Sequence, residues 1–521
     1  MQSILQYRQI KPGLTKSLEA LRARTGSARD SDPSDRVLVE WENPLDSLHP
    51  RNWSLAYKIW VSALVSMNVF ALDWCSAADS QASAKIASEF GVSHRVESVG
   101  SAMFVFGIAA GALFAGPITE TVGRNPVYIG GRLIHIFFIL GTALARNIST
   151  QLLCRFFAGF GASAILAIHG ASIADLFGQE GRSLAWPFVA LWSFLGTAFP
   201  PVAGAWIAQS SSISWRWTEW IAVIMSGTTF VITVVWLPET FAPILLKWKA
   251  VQLRKMTNDK TYIAPIESQS SFSERLKTNI YRAFIMSTRE YIVILLGLWL
   301  VLVYLIVFGF LSGMEHIFAR TYSFSLGLVG TSFSAIAVGI ILNTALSLIY
   351  AYTHNARTIK WRKVNGEDSR LPPEYRMIPA FPVAICLPIS LFWLGWTNNV
   401  HISPWSGLGA ISLFGFSWAG IYVAVYHYIF DTYSIYAGSA LATITCARYL
   451  FGGGIQIVSQ DMWNRLGTQW TCTLLGCIAI LLMPVPFIFW AKGEKIRISS
   501  KFAGEKAIAR EKNSKATSEV V

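Results

Sequence analysis

Apolar residues in this chain gather into about twelve long runs separated by short polar stretches. In the first half the runs cover 56–75, 99–119, 127–145, 152–172, 185–208 and 221–237. In the second half they cover 291–311, 326–352, 378–396, 406–430, 437–458 and 472–490. At 1.5 Å of rise per residue, runs of this length cross a hydrocarbon layer about 30 Å thick as helices. Lipid leaves no partner for free backbone groups, so the pattern predicts an all-α membrane protein with twelve transmembrane helices. A polar linker, 239–289, divides six runs from six. The predicted organisation is therefore a tail (1–52), a six-helix bundle (53–238), the linker, a second six-helix bundle (290–490) and a tail (491–521). Two bundles of six suggest an internal duplication with a substrate site between the halves. The loop after the eighth run carries no copy of the turn after the second, so identity alone does not demonstrate the repeat.

Composition agrees. Of 521 residues, 53% are hydrophobic and only 14% charged, and the mean hydropathy is +0.44. Many of the 21 tryptophans, among them Trp53, Trp60, Trp215, Trp217, Trp396 and Trp470, fall near span ends, where interfacial anchoring explains them. The net charge of +13 does not point to nucleic acid, because the basic residues fall mainly on alternating loops, the linker and the tails. The stretch 247–289 alone holds nine basic and three acidic residues. This bias predicts cytoplasmic termini and adds attraction to anionic lipid of the inner leaflet. The first sixteen residues lack the apolar centre of a signal peptide, and the tail segment SARDSDPSDR reads as disordered. The six cysteines form no C-x-x-C or zinc spacing, and no metal or cofactor is expected.

Between the second and third runs lies GPITETVGRNP, residues 116–126. A tight charged turn holding Gly116, Glu120, Gly123 and Arg124 between two spans suits layers that press together and later separate. The turn resembles the signature loop of the major facilitator superfamily, G-x-x-x-D-R-x-G-R-R. Gly116, Gly123 and Arg124 match, Glu120 replaces Asp, and Thr121 and Asn125 stand at basic positions. CRFFAGFGAS, with Arg155 and Gly159, resembles the family's span-four motif. Gly196, Pro201 and Gly204, with Pro187, Pro200 and Ala205 around them, resemble its span-five antiporter motif. WRWTEWI from Trp215, LPETFAPILLKWKAVQLRK from Leu237 and DTYSIYAGSALATITCARYLFGG from Asp431 are similar to the fungal drug:proton antiporter branch. The resemblance spans residues 43–503 and implies a twelve-helix exporter.

The candidate residues have roles that chemistry suggests. Glu120 and Arg124 are expected at a cytoplasmic gate, with Glu120 near the start of the eleventh span at Tyr436 and Arg124 paired with Asp175. Gly196, Pro200, Pro201 and Gly204 either kink and pack the fifth span or also favour exchange over uniport. Asp73 and Arg155 lie at matched depth in the first and fourth spans and are expected to form a proton-switched ion pair, the alternative being solvation of each from outside. Asn343, Glu315, His316 and Arg448 are candidates for the substrate cavity. Glu315 and His316 either tune substrate choice or are solvated loop residues. His135 and His169 read as packing residues, and His427 and Asp431 as solvated or capping groups.

The expected function is export of a small amphiphilic compound in exchange for protons, by a monomer in the plasma or vacuolar membrane. The competing expectations are a proton-coupled importer and a membrane sensor of the same fold. An enzyme is not expected, since no nucleophile elbow or phosphate loop is evident.

Overall fold

A computed structural model describes residues 1–10, 37–41, 43, 45–268, 272–366, 369, 371–433 and 436–503. Among the described residues, eleven helical stretches are long and apolar enough to cross a membrane. They are α1 (Leu55–Trp74), α2 (His94–Val122), α3 (Arg124–Ala143), α4 (Ile148–Leu176), α5 (Gln179–Gln209), α6 (Trp217–Trp236), α7 (Tyr291–Tyr322), α8 (Leu326–Asn365), α9 (Pro373–Thr397), α10 (Pro404–Tyr433) and the stretch Ala437–Ser499. The last, at 63 residues, is far longer than the roughly 20 residues that one crossing needs. Gly467, at φ 68°, breaks it into α11 (437–466) and α12 (468–499), which gives the expected twelve helices. Only glycine adopts that left-handed backbone without strain.

Polar caps start several spans. The Ser54 hydroxyl accepts from the Tyr57 amide at α1, and the Asn147 side chain accepts from the Thr150 amide at 2.8 Å at α4. α5 is jointed at Phe199, after which Pro200 and Pro201 open a second helical piece whose first amides need no partner.

Small residues set the packing. A Cβ on Gly159 of α4 would lie 1.9 Å from the Phe104 carbonyl of α2, and one on Gly107 would lie 2.0 Å from the Phe156 carbonyl. In the second half, a Cβ on Gly339 of α8 would lie 1.8 Å from the Ser412 carbonyl of α10. The α2–α4 contact is thus repeated by α8–α10, six spans later, and α1–α5 is repeated by α7–α11. Two further contacts join the bundles, α2 against α11 and α5 against α8. They too exchange under an offset of six.

The polar segments are more ordered than their composition suggests. Residues 2–10 are helical and dock against the end of α6, where Ser3 Oγ donates to Asn125 Oδ1 at 3.2 Å and Gln6 Nε2 to the Glu239 carbonyl at 3.2 Å. Val37–Leu38 pair in parallel with Tyr262–Ile263. The linker contains helices Ala242–Thr257 and Phe272–Arg289. The reason is a small separate core, in which Ile10 and Val39 pack with Ala250, Leu253 and Tyr262. The tail segment 27–36 and the end of the chain after 503 lie outside the described residues.

Candidate functional site

A cavity of about 1060 Å³ lies between the bundles and opens at the face where α12 ends. Gly116 and Glu120 of α2, Asp175 of α4, and Tyr436 and Ala437 at the start of α11 flank its mouth. His169, Leu166 and Tyr426 form its wall further in. The opposite face is shut. There Gln81 Nε2 donates to the Leu311 carbonyl at 2.9 Å, the Gly327 amide to Gln209 Oε1 at 2.6 Å and Trp206 Nε1 to Thr331 Oγ1 at 3.2 Å, each across the bundles. Arg95 and Asp461 add an ion pair at 2.9 Å.

The α2–α3 turn is built around two carboxylates. Arg124 Nε lies 3.0 Å from Asp175 Oδ2, the pairing expected from sequence, and Arg124 Nη1 donates to Thr119 Oγ1 at 2.9 Å. Its guanidinium also sits 4.5 Å from the Phe241 ring centre. The second carboxylate, Glu239, follows α6 and is fully buried. It accepts from the amides of Arg124 (2.9 Å), Asn125 (3.1 Å), Thr240 (3.0 Å) and Phe241 (2.9 Å). It thereby caps α3 and meets the positive end of that helix. Burial pushes its pKa above the usual carboxylate value, while the amide donors and Arg124 pull the other way. Gly123 has φ 102°, and a Cβ there would lie 2.5 Å from Glu239 Oε2. The signature glycine is thus fixed by a carboxylate more than a hundred positions away. Glu120 faces the cavity mouth opposite Tyr436, with the two bundles apart at that point.

The fifth-span motif is a close-contact surface. A Cβ on Gly196 would lie 2.7 Å from the Phe70 carbonyl and 3.0 Å from Asp73 Cβ, and one on Gly204 would lie 2.6 Å from the Ala78 carbonyl. On its other side, Pro201 and Ala205 press on Gly330 of α8.

Asp73 and Arg155 do not pair. Asp73 faces α5 and accepts a hydrogen bond from Ser193. Arg155 faces away from it, toward α6 and the loop after α1. There its Nη2 lies 2.7 Å from Asp79 Oδ2 and also contacts Glu219 Oε1. Similar depth did not bring them together because the two side chains leave their helices in different directions. Ser101 Oγ donates to Asp79 at 3.3 Å, and Glu97 accepts from Ser83 beside it. Asp79, Glu97, Glu219 and Arg155 are each no more than 2% exposed. One guanidinium therefore faces three buried carboxylates, and Asp79 Oδ1 has no hydrogen-bond partner.

A model of the major facilitator superfamily matches residues 62–457. The chain belongs to the major facilitator superfamily. It is a membrane transporter. It is 42% identical over 465 residues to the MFS-type transporter kojT of Aspergillus flavus, covering 89% of this chain and 82% of that protein. It is 33% identical to the MFS-type efflux pump MFS2 of Trichophyton rubrum, over 92% of this chain and 79% of that one. Among solved structures it resembles the proton:xylose symporter XylE, with a TM-score of 0.60 at 15% identity over 84% of this chain and 96% of that one. That last likeness concerns the fold alone.

The remaining candidates divide. Arg448 of this transporter lies deep in α11, behind the cavity wall, among four tyrosines. Asn343 does not line the central cavity. It accepts from Ser347 on its own helix at 3.0 Å, packs on Gly420 of α10, and borders a separate cavity of about 40 Å³. Glu315 and His316 do not line the central cavity either. They begin a π-helical turn, Glu315–Ala319, at the closed face, where His316 Nε2 lies 2.9 Å from Asn464 Oδ1 and Glu315 is exposed.

Asp431 is part-buried at the edge of the central cavity and held by ion pairs. It joins Arg182 of the other bundle at 2.8 Å and Arg376 at 2.7 Å. His135 is a packing residue whose Nδ1 lies 3.1 Å from the Ala158 carbonyl, while His169 stacks on Trp186 and borders the cavity. Sequence reading missed Asp79, Glu97 and Glu219 because each lies within a few residues of a span end, where a charge is ordinarily solvated. The sequence offered little signal, since Arg95 stands two residues from Glu97 and Arg216 three from Glu219, so both acids read as ordinary solvated neighbours of a base.

Proposed function

We propose that this transporter exports a small amphiphilic compound in exchange for protons, by rocking the two bundles about the central cavity. The observation that carries the coupling is the buried group of Asp79, Glu97 and Glu219 around Arg155. Fully ionised, it holds a net charge of −2 away from water, which desolvation and mutual repulsion oppose. A retained proton relieves that charge, and opening the closed face would expose the site to outside water. Asp73, held by Ser193, is assigned to the α1–α5 contact and not to a pair with Arg155. Glu120, Arg124 and Asp175 act as the gate at the terminal face, together with Gly116 and Gly123.

The basic linker and loops support cytoplasmic termini and a plasma-membrane location. The relative named as an efflux pump supports the outward direction. Twelve spans with a complete cavity in one chain suit a functional monomer.

The test is transport in sealed proteoliposomes containing the full chain, with a fluorescent amphiphile panel and an imposed pH gradient. Gradient-driven accumulation on the acidic side, lost in Glu97→Gln and Glu219→Gln at equal incorporation, is expected. Accumulation that ignores the gradient in the wild type refutes exchange. Accumulation on the alkaline side refutes export and favours import.

A further inference from the structure

Arg448 sits where an arginine has no ordinary reason to be. It is 2% exposed, near the middle of α11, and its Nε and Nη1 have no hydrogen-bond partner. Among the described residues no carboxylate lies within ion-pair distance of it. Instead, its guanidinium carbon lies 4.7 Å from the ring centre of Tyr304, 4.9 Å from Tyr449, 5.2 Å from Tyr422 and 5.7 Å from Tyr426. Such stacking recovers part of the cost of burying the charge, but it leaves the N–H groups unused.

The cage adjoins the cavity. Tyr426 is both a cage wall and a cavity wall, and its hydroxyl lies 3.4 Å from Thr445 Oγ1. Thr445, also on the cavity, is one helical turn before Arg448 and therefore on the same side of α11. The cage joins both halves of the molecule, since Tyr422 and Tyr426 of α10 stack on Trp186 of α5.

We infer that Arg448 and its tyrosines form the substrate anchor of this transporter, and that the substrate is a small planar organic anion, a carboxylate or an enolate. Delocalised oxygens accept from the in-plane N–H groups of a guanidinium, and a flat ring slides between stacked aromatic faces. Tyrosine faces elsewhere attract cations, but this cage already holds one, so a cationic ligand meets repulsion. Asp73, on α1, is close enough for the two charges to interact without forming an ion pair. It is the internal competitor for the guanidinium. The inference rests on the reading of the central cavity as the transport path and adds the class of cargo.

The experiment uses the full chain in lipid nanodiscs and three probes of one shape: 4-hydroxybenzoate, its methyl ester and 4-hydroxybenzylamine. Binding is read by quenching of tryptophan fluorescence, since Trp186 and Trp418 pack against Tyr422 and Tyr304. The anion is expected to bind about tenfold or more tightly than the ester, with no binding of the amine. Arg448→Gln should remove the preference for the anion, Arg448→Lys should keep part of it, and Asp73→Asn should strengthen it. Equal binding of anion and ester by the wild type, binding of neither, or an undiminished preference in a folded Arg448→Gln protein overturns the inference. Anion binding without gradient-driven transport leaves the anchor standing and counts against the exporter reading alone.

Discussion

Glu239 is worth more than its place in a short polar loop suggests. Four amides converge on one carboxylate, and the Gln6 side chain donates to and accepts from its backbone. Removing the carboxylate strands those buried donors, each costing about 1–3 kcal/mol, although relaxation and water recover part. Glu239→Ala should therefore lose about 3 kcal/mol or more, seen as a lower unfolding midpoint in detergent. Glu239→Gln keeps one acceptor and should lose less. An unchanged midpoint for the alanine variant would remove Glu239 from the framework of the turn. Arg124 acts on the cavity side of the same turn. Arg124→Ala leaves Asp175 without its partner, and breaking a largely buried pair costs about 3–5 kcal/mol. Transport should collapse at matched surface expression. Arg124→Lys should retain a fraction, because charge survives without the fork that reaches both Asp175 and Thr119. Full transport by the alanine variant would dismiss the gate.

At the scale of elements, the closed face depends on small residues where α5 meets α8. A Cβ on Gly330 would lie 2.2 Å from Ala205 Cβ and 2.8 Å from the Pro201 carbonyl. A leucine there cannot fit while the two helices touch, and overpacking typically costs about 1–3 kcal/mol. That is enough to shift a balanced pair of states about fivefold to a hundredfold. Gly330→Leu should thus favour the conformation in which this face is parted. Spin labels on exposed Ser212 and Asn399, one in each half at this face, should report a longer distance than in the parent protein. An unchanged distance in a correctly inserted variant would mean that α5 and α8 do not part here during the cycle. At the other end of α5, Arg182–Asp431 and Arg362–Glu180 still tie the bundles together, while at the cavity mouth the ends of α2 and α4 stand apart from the start of α11. The mouth is therefore on one side of the molecule, and opening resembles a hinge along α5, α8 and α10.

For the whole molecule, twelve crossings put Met1 and the last described residue, Ala503, on one face, and the cavity opens there. On the proposed topology, argued from the charge bias, that face is cytosolic. Epitope tags at either end should label only after permeabilisation. Labelling of intact cells at one end would overturn the topology, and at both ends the orientation. The same geometry gives a kinetic expectation. The proposed proton site lies at the closed face and the proposed anion anchor deeper between the bundles, so on this reading the two are not alternative occupants of one pocket. Competition between them must act through the rocking of the bundles and not through direct displacement.

Much of this was written in the chain. Apolar runs of about twenty residues specify helices because lipid allows no other local solution, and two groups of six follow from the linker that parts them. The Arg124–Asp175 pair was legible because a loop motif and a span end fix both positions nearly one-dimensionally. What escaped were facts about direction. Asp73 and Arg155 share a depth, but azimuth around each helix turned one toward Ser193 and the other toward Asp79 and Glu219. Asn343 lies within its span as expected, yet is turned onto Gly420 and away from the central cavity for the same reason, whereas Glu315 and His316 end their span at the closed face, away from that cavity. Sequence sets how far along a span a residue lies. Which neighbour it meets is decided when twelve helices pack, because a turn of 100° per residue makes azimuth depend on every contact the helix makes.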